Sequence, residues 1–197
     1  GAAYGFRYNL EEIKYAIKKG DIVILVPEYP NFFDNIYNGS EVLIDNLYIL
    51  PASINYIKSF KQFYTMFIDI PNFLIFKFKR FLSSYVLNVI DTVYSRPAFN
   101  KFGDIVAHLG LHSPKDIAKE HLFNSVNLSM DPDIINDLND FYDFIRKKEA
   151  KVFLAYCAIP ELQFKKYENL LNNFDIMMKQ RCKIPILARP LRYVYSI

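Results

Sequence analysis

The sequence predicts an α/β fold in which a mostly parallel sheet is covered by helices on both faces. Three observations carry that expectation. Short aliphatic and β-branched runs alternate with stretches of helical period. Each apolar run ends in a turn that holds proline and charge. The 197 residues suffice for one domain with its own core, but not comfortably for two.

The elements follow in order. From Tyr8 to Lys19, apolar residues at Leu10, Ile13, Ala16 and Ile17 are separated by charges, the pattern of an amphipathic helix, and Gly20 stands where a left-handed cap belongs. "DIVILV" (21–26) is then a strand, and its unbroken Ile22–Val26 run predicts burial on both faces. A helix feeding directly into such a strand is half of a βαβ unit whose first strand would lie upstream of Gly1. Residues 53–94 read as a helical insertion in two pieces broken by Pro71. Its second piece carries Lys77, Arg80, Ser84, Asn88 and Asp91 as a narrow polar stripe on a broadly apolar helix. Such a helix needs cover. The bland reading is packing against a partner helix and the sheet; the sharper one is contact with another subunit or, through residues 72–94, with a membrane surface.

Residues 96–117 hold proline, glycine, asparagine and serine breaks without a sustained period and read as a long loop. After Met130 a helix is predicted, with Asp131 as its N-cap, Pro132 in the first turn, and Lys147 and Lys148 near its end. "KVFLAYCAIP" (151–160) is the second strand, Glu161 to about Lys179 a further helix, and a third strand is expected around Ile186–Ala188. The chain opens on "GAAYG" rather than methionine and closes on "RPLRYVYSI" without a polar tail, so both ends are expected to be cut from a longer domain.

Composition narrows the function classes. Hydrophobic residues make up 52% and charged residues 23%, an ordinary globular balance. The aromatic share of 17%, with 18 Phe and 15 Tyr but no Trp, is high; such a chain can bury a large core, and rings beyond its capacity would have to face a partner, a ligand or a membrane. A formal charge of +3 spread along the chain offers no concentrated basic surface for nucleic acid. Cys157 and Cys182 make neither a C-x-x-C pair nor a ligand cluster and read as inert, partly buried thiols. No apolar run reaches the roughly 18 residues of a membrane span.

Candidate site residues sit where the strands end. If the strands are parallel, Glu28, Tyr29, Glu161, Arg189 and Arg192 project near one edge of the sheet, the edge at which open α/β sheets bind ligands. A carboxylate and a guanidinium there make either a substrate clamp or a plain ion pair. The long loop adds Asn100, Asp104 and His108 as substrate-binding candidates. His108 and His112 stand four apart, but Gly110 and Pro114 oppose the helix that would turn both toward one metal. No acidic third ligand is spaced to match, a loop histidine oriented by a neighbour such as Asp104 is the better reading, and no metal site is expected from these or from His121. There is no G-x-S-x-G, no glycine-rich phosphate loop and no H-E-x-x-H, so no catalytic set is complete and no cofactor is implied.

Three stretches together, "GAAYGFRYNL", "KKGDIVILVPEYPNFF" and "AFNKFGDIVAHL", resemble uncharacterised bacterial SGNH/GDSL-hydrolase-like proteins, many encoded beside surface-polysaccharide genes. The resemblance covers most of the chain. It implies a flavodoxin-like three-layer α/β/α fold, membrane association of the full-length protein at the cell envelope, and ester or acyl-transfer chemistry by Ser, His and Asp on an acylated glycan or another small acyl substrate. The family's serine turn and D-x-x-H motif are absent, since "GDI" occurs at Gly20 and Gly103 without the serine. The expectation is that the serine lies upstream of Gly1 and the aspartate and histidine downstream of Ile197. "PEYPNF" replaces the family's G-x-N-D block, and a carboxylate cannot donate to an oxyanion, so Glu28 does not inherit that role. The alternative is a non-catalytic scaffold of the same fold that binds a membrane or a biosynthetic partner through the Phe-rich insertion.

Overall fold

The computed structural model describes residues 4–33, 36–83, 100, 101, 106 and 130–195. Within them, α1 (Phe6–Ala16) leads into β1 (Ile22–Leu25), α2 (Pro30–Phe33) and α3 (Glu41–Ile49) follow, and α4 (Phe60–Phe81) is the longest helix. Then α5 (Ile134–Lys147) feeds β2 (Lys151–Leu154), β3 (Ile159–Pro160) opens α6 (Glu161–Arg181), and β4 (Val194–Tyr195) ends the described chain. The chain is a mixed helix-and-strand protein whose few short strands pair in parallel.

β1 and β2 pair from Ile22↔Lys151 to Leu25↔Leu154, and Ile186 extends this sheet through one parallel bridge to Leu154. β3 and β4 form a second parallel pair, Ile159↔Val194 and Pro160↔Tyr195. The core lies on one face of the β1–β2 sheet, where Leu25, Val152 and Leu154 meet Phe6 and Leu10 of α1, the Ile134–Leu138–Phe141–Ile145 stripe of α5, and Phe174 and Met178 of α6. The α5 residues recur every three or four positions and are wholly buried, which is the condition for a helix to lie flat on a sheet.

Several expectations need correction. β1 is not buried on both faces: Ile22 and Ile24 are 65% and 56% exposed, because the described helices cover only the Leu25 side. "KVFLAYCAIP" is two strands, since residues 155–158 leave the sheet before Ile159 pairs with Val194. The third strand shrinks to the Ile186 bridge. Pro71 does not break the insertion; α4 runs through it as one helix. The proline ring lies on the exposed side, while Met66, Phe73 and Lys77 pack continuously across that point, so the missing amide is lost where it matters least.

The insertion's helix also begins later than Ser53. Pro51–Tyr56 is a 3-10 turn, and Ser59 caps α4, its Oγ accepting the Lys61 amide at 3.1 Å while Gln62 Oε1 accepts the Ser59 amide at 3.2 Å. The bodies of the later helices fall where predicted, but their caps do not: α5 starts at Ile134 with Asp133 at the N-cap position and no side-chain cap bond, while Asp131 Oδ1 accepts the Asp133 amide at 3.0 Å one step ahead of it. Gly20 takes a left-handed φ of 87°, but in the turn before β1, since α1 ends at Ala16 with Ile17 as its extended C-cap.

Candidate functional site

The parallel register aims three chain segments the same way. Ala155 N donates to Leu25 O at 2.9 Å, and Leu154 exchanges bonds with Pro185 O and Leu187 N, both at 2.9 Å. Beyond them "PEY", "AYC" and "ARP" leave the sheet at one edge, as ligand-binding α/β sheets require.

Tyr29 turns inward there. Its ring stacks on Tyr156, with centroids 6.1 Å apart and 11° between planes. Tyr156 Oη donates to Asp175 Oδ1 at 3.0 Å, and Lys179 Nζ donates to Asp175 Oδ2 at 2.7 Å. The Tyr29 hydroxyl is buried with no partner. Burial pushes both phenols well above the ordinary tyrosine value, joined for Tyr29 by the neighbouring Cys157 and for Tyr156 by the Asp175 charge. Tyr29 is therefore part of the wall of the site and presents no hydroxyl to solvent. Cys157 and Cys182 are free and partly buried. Burial pushes the Cys157 thiol up, and the Glu28 carboxylate adds to that effect.

Glu28 is exposed and makes no ion pair among the described residues; its backbone carbonyl accepts the Asn31 amide at 2.9 Å. Arg189 and Arg192 are exposed too, so the structure does not join Glu28 and Arg189 into a clamp. Glu161 is taken by Lys165 at 2.7 Å. Asn100 is half-buried. Asp104, His108, His112 and His121 lie outside the described residues, as do Ser84, Asn88 and Asp91 of the expected polar stripe.

Sequence reasoning missed the densest polar cluster. Arg7, in the first turn of α1, is nine-tenths buried. Its Nε and Nη2 both reach Asp137 Oδ2 at 2.6 Å, Nη2 also meets Asp133 at 3.3 Å, and Nη1 donates to Asn38 at 3.0 Å and Ser59 Oγ at 2.8 Å. Tyr37 donates its hydroxyl to Asp137 and lays its ring 5.1 Å from the guanidinium. Burial opposes the Arg7 charge, but Tyr37, Asp137 and Asp133 outweigh it and hold its pKa above the ordinary value. Asp131 completes the cluster through Lys61 at 2.5 Å; burial works against its charge, and Lys61 with the Asp133 amide outweighs that, leaving its pKa low.

Beside this cluster opens a cleft of about 260 Å³ lined by Glu11, Lys14, Lys58 and Asp140 together with Arg7. The donors of Arg7 all point at protein partners, so it is a pivot that ties α1, α4, α5 and the segment after β1, and not an anion receptor. The signal was present in the sequence. A cation in the first turn of a helix opposes the macrodipole, and this one stands three residues before the core residue Leu10, so it needed buried acids from elsewhere. No protein-family model, no curated protein and no solved structure matches this chain.

Proposed function

We propose that the chain is the central part of an SGNH-like esterase or acyltransferase with a flavodoxin-like three-layer fold, acting on acyl groups of a bacterial cell-envelope polysaccharide. The observation that carries this reading is the common direction of β1, β2 and the Ile186 bridge, which brings "PEY", "AYC" and "ARP" to one edge. The resemblance of "KKGDIVILVPEYPNFF" to that family supports it. The catalytic serine, aspartate and histidine would come from outside these 197 residues, since none of their motifs occurs in them.

Glu28 is the side chain we assign to substrate. It is exposed at that edge, unpaired among the described residues, and flanked by buried Pro27 and Tyr29. An ionised carboxylate only accepts hydrogen bonds, so it would hold a sugar hydroxyl or an amine, or orient a catalytic group, and leave the oxyanion to other donors.

The test uses a polypeptide extended in frame at both ends, assayed on a small acyl ester. It should hydrolyse the ester, whereas the 197-residue chain should not. In the extended form, Glu28→Gln should lower kcat/KM on an acylated sugar by about tenfold or more, with the melting temperature unchanged. Hydrolysis by the short chain would overturn the placement of the catalytic groups outside it. Unchanged turnover of Glu28→Gln would remove Glu28 from the site.

A further inference from the structure

α4 carries its amphipathicity inside out. The stripe turned toward the domain holds Gln62 and Lys77 alongside Met66 and Phe73. Gln62 is fully buried under the cap of the helix, and Lys77 reaches Asp45 at 2.5 Å across the Tyr48 ring. The opposite side presents Phe60, Tyr64, Phe67, Ile75 and Phe78, with Phe60 at 85% and Phe67 at 73% exposure. A helix packed on a water-soluble domain arranges its residues the other way round. Polar groups spent inward and aromatic groups turned outward are what a hydrocarbon boundary selects.

We propose that α4 lies in the plane of an anionic membrane surface, with the Phe60–Phe78 face sunk to the acyl boundary. The charges choose lipid over a second copy of the chain. Lys79 stands at one edge of the apolar face with the exposed Arg80 next to it in the chain, while Lys61, about five turns away on the same edge, is already held by Asp131. Among the described residues Lys79 makes no ion pair, so it is available to a phosphate. Asp69 is the single acid of the helix. Two copies meeting through this face would leave Lys79 and the largely exposed Arg80 with no acidic row to answer them, whereas phosphate headgroups do answer them. Tyr64 supplies an amphipathic ring that favours the headgroup level. No helix among the described residues is long and apolar enough to cross a membrane, so the helix rests on the surface. This inference is independent of the acyl-transfer reading.

The chain has no tryptophan, so Phe67→Trp in the full 197-residue chain is a lone reporter. Vesicles of phosphatidylcholine with about a quarter phosphatidylglycerol should shift its emission to the blue, and brominated lipid should quench it. Phe67→Asp with Phe78→Asp should weaken partitioning by about tenfold or more at unchanged circular dichroism, because two buried rings are lost. Lys79→Glu should reduce binding to the anionic vesicles more than to neutral ones. Emission indifferent to vesicles would overturn the proposal. So would a dimer, seen by light scattering without lipid, that the double Asp variant dissolves. Loss of ester hydrolysis in the extended protein with vesicle binding intact would leave this proposal standing, which keeps the two failures distinguishable.

Discussion

Arg7 shows how one side chain can be indispensable to a structure without touching a ligand. Its guanidinium meets Asp137, Asp133, Asn38 and Ser59, groups that belong to three separate parts of the chain. A buried ion pair is weak evidence of net stabilisation, because desolvation offsets most of the attraction, but removal of one partner leaves the other charge uncompensated. Arg7→Met should therefore cost about 3 kcal/mol in urea unfolding, a discounted figure because Asp133 is half exposed. Arg7→Met combined with Asp137→Leu should recover a large part of that loss, since the orphaned carboxylate disappears with its partner. If the single variant loses under about 0.5 kcal/mol, the pivot role is wrong. Ser59 sits at the join, its Oγ serving both the α4 cap and Arg7, so α4 and the sheet-bearing core share one hydroxyl.

At the scale of elements, the turn between α5 and β2 carries a local conflict. Glu149 N donates to Arg146 O at 3.0 Å and Ala150 N to Ile145 O at 3.2 Å, a Schellman ending that places Glu149 at φ 57°, where glycine is the favoured residue. Its ion pair with Lys19 is exposed on both sides and offers little in return. Glu149→Gly should raise stability by about 0.5–1 kcal/mol, measured by thermal unfolding, and a decrease would refute the strain argument. Other elements divide by how local their determinants are. The body of α5 and the left-handed conformation of Gly20 were legible because a stripe and a glycine act within a few residues, whereas the N-cap fell on Asp133 and not on Asp131. The start of α4 was written as "SFKQ", a Ser-x-x-Gln capping box, yet the apolar run upstream drew the reading back to Ser53. Pro71 misled because local rules price its missing amide without knowing that tertiary packing spans it. The cover over β1 was misjudged for a related reason: an apolar run gives burial capacity, but which face is covered is decided by elements far away in sequence. In the candidate site, the sheet edge was legible from topology alone, whereas the inward turn of Tyr29 and the absence of a Glu28–Arg189 pair depend on packing that no spacing reveals.

The whole molecule joins these networks into one dependence on pH. Asp131 is held below the ordinary carboxylate range, so the unfolded chain takes up its proton first on acidification. The stability it contributes is present above about pH 4 and is lost as pH falls through its folded value. On the alkaline side the sign reverses. Tyr29, Tyr37 and Tyr156 are buried, and burial pushes each above the ordinary value of 10.0, with Asp137 reinforcing Tyr37 and Asp175 reinforcing Tyr156. Above pH 10 the unfolded chain releases these protons while the folded chain keeps them, so the folded state binds more protons and stability falls as pH rises. Each group contributes a slope of about 1.4 kcal/mol per pH unit, and the three together about 4. Absorbance at 295 nm should therefore show these phenols ionising only as the circular dichroism collapses. Tyr29→Phe isolates one of them: it removes a buried hydroxyl without a partner, and so should raise neutral-pH stability by about 1 kcal/mol and flatten the alkaline slope by about one proton. A Tyr29→Phe protein with the same alkaline slope would show that the Tyr29 hydroxyl is not closed off from water, and would return it to the set of groups able to meet a ligand at the sheet edge.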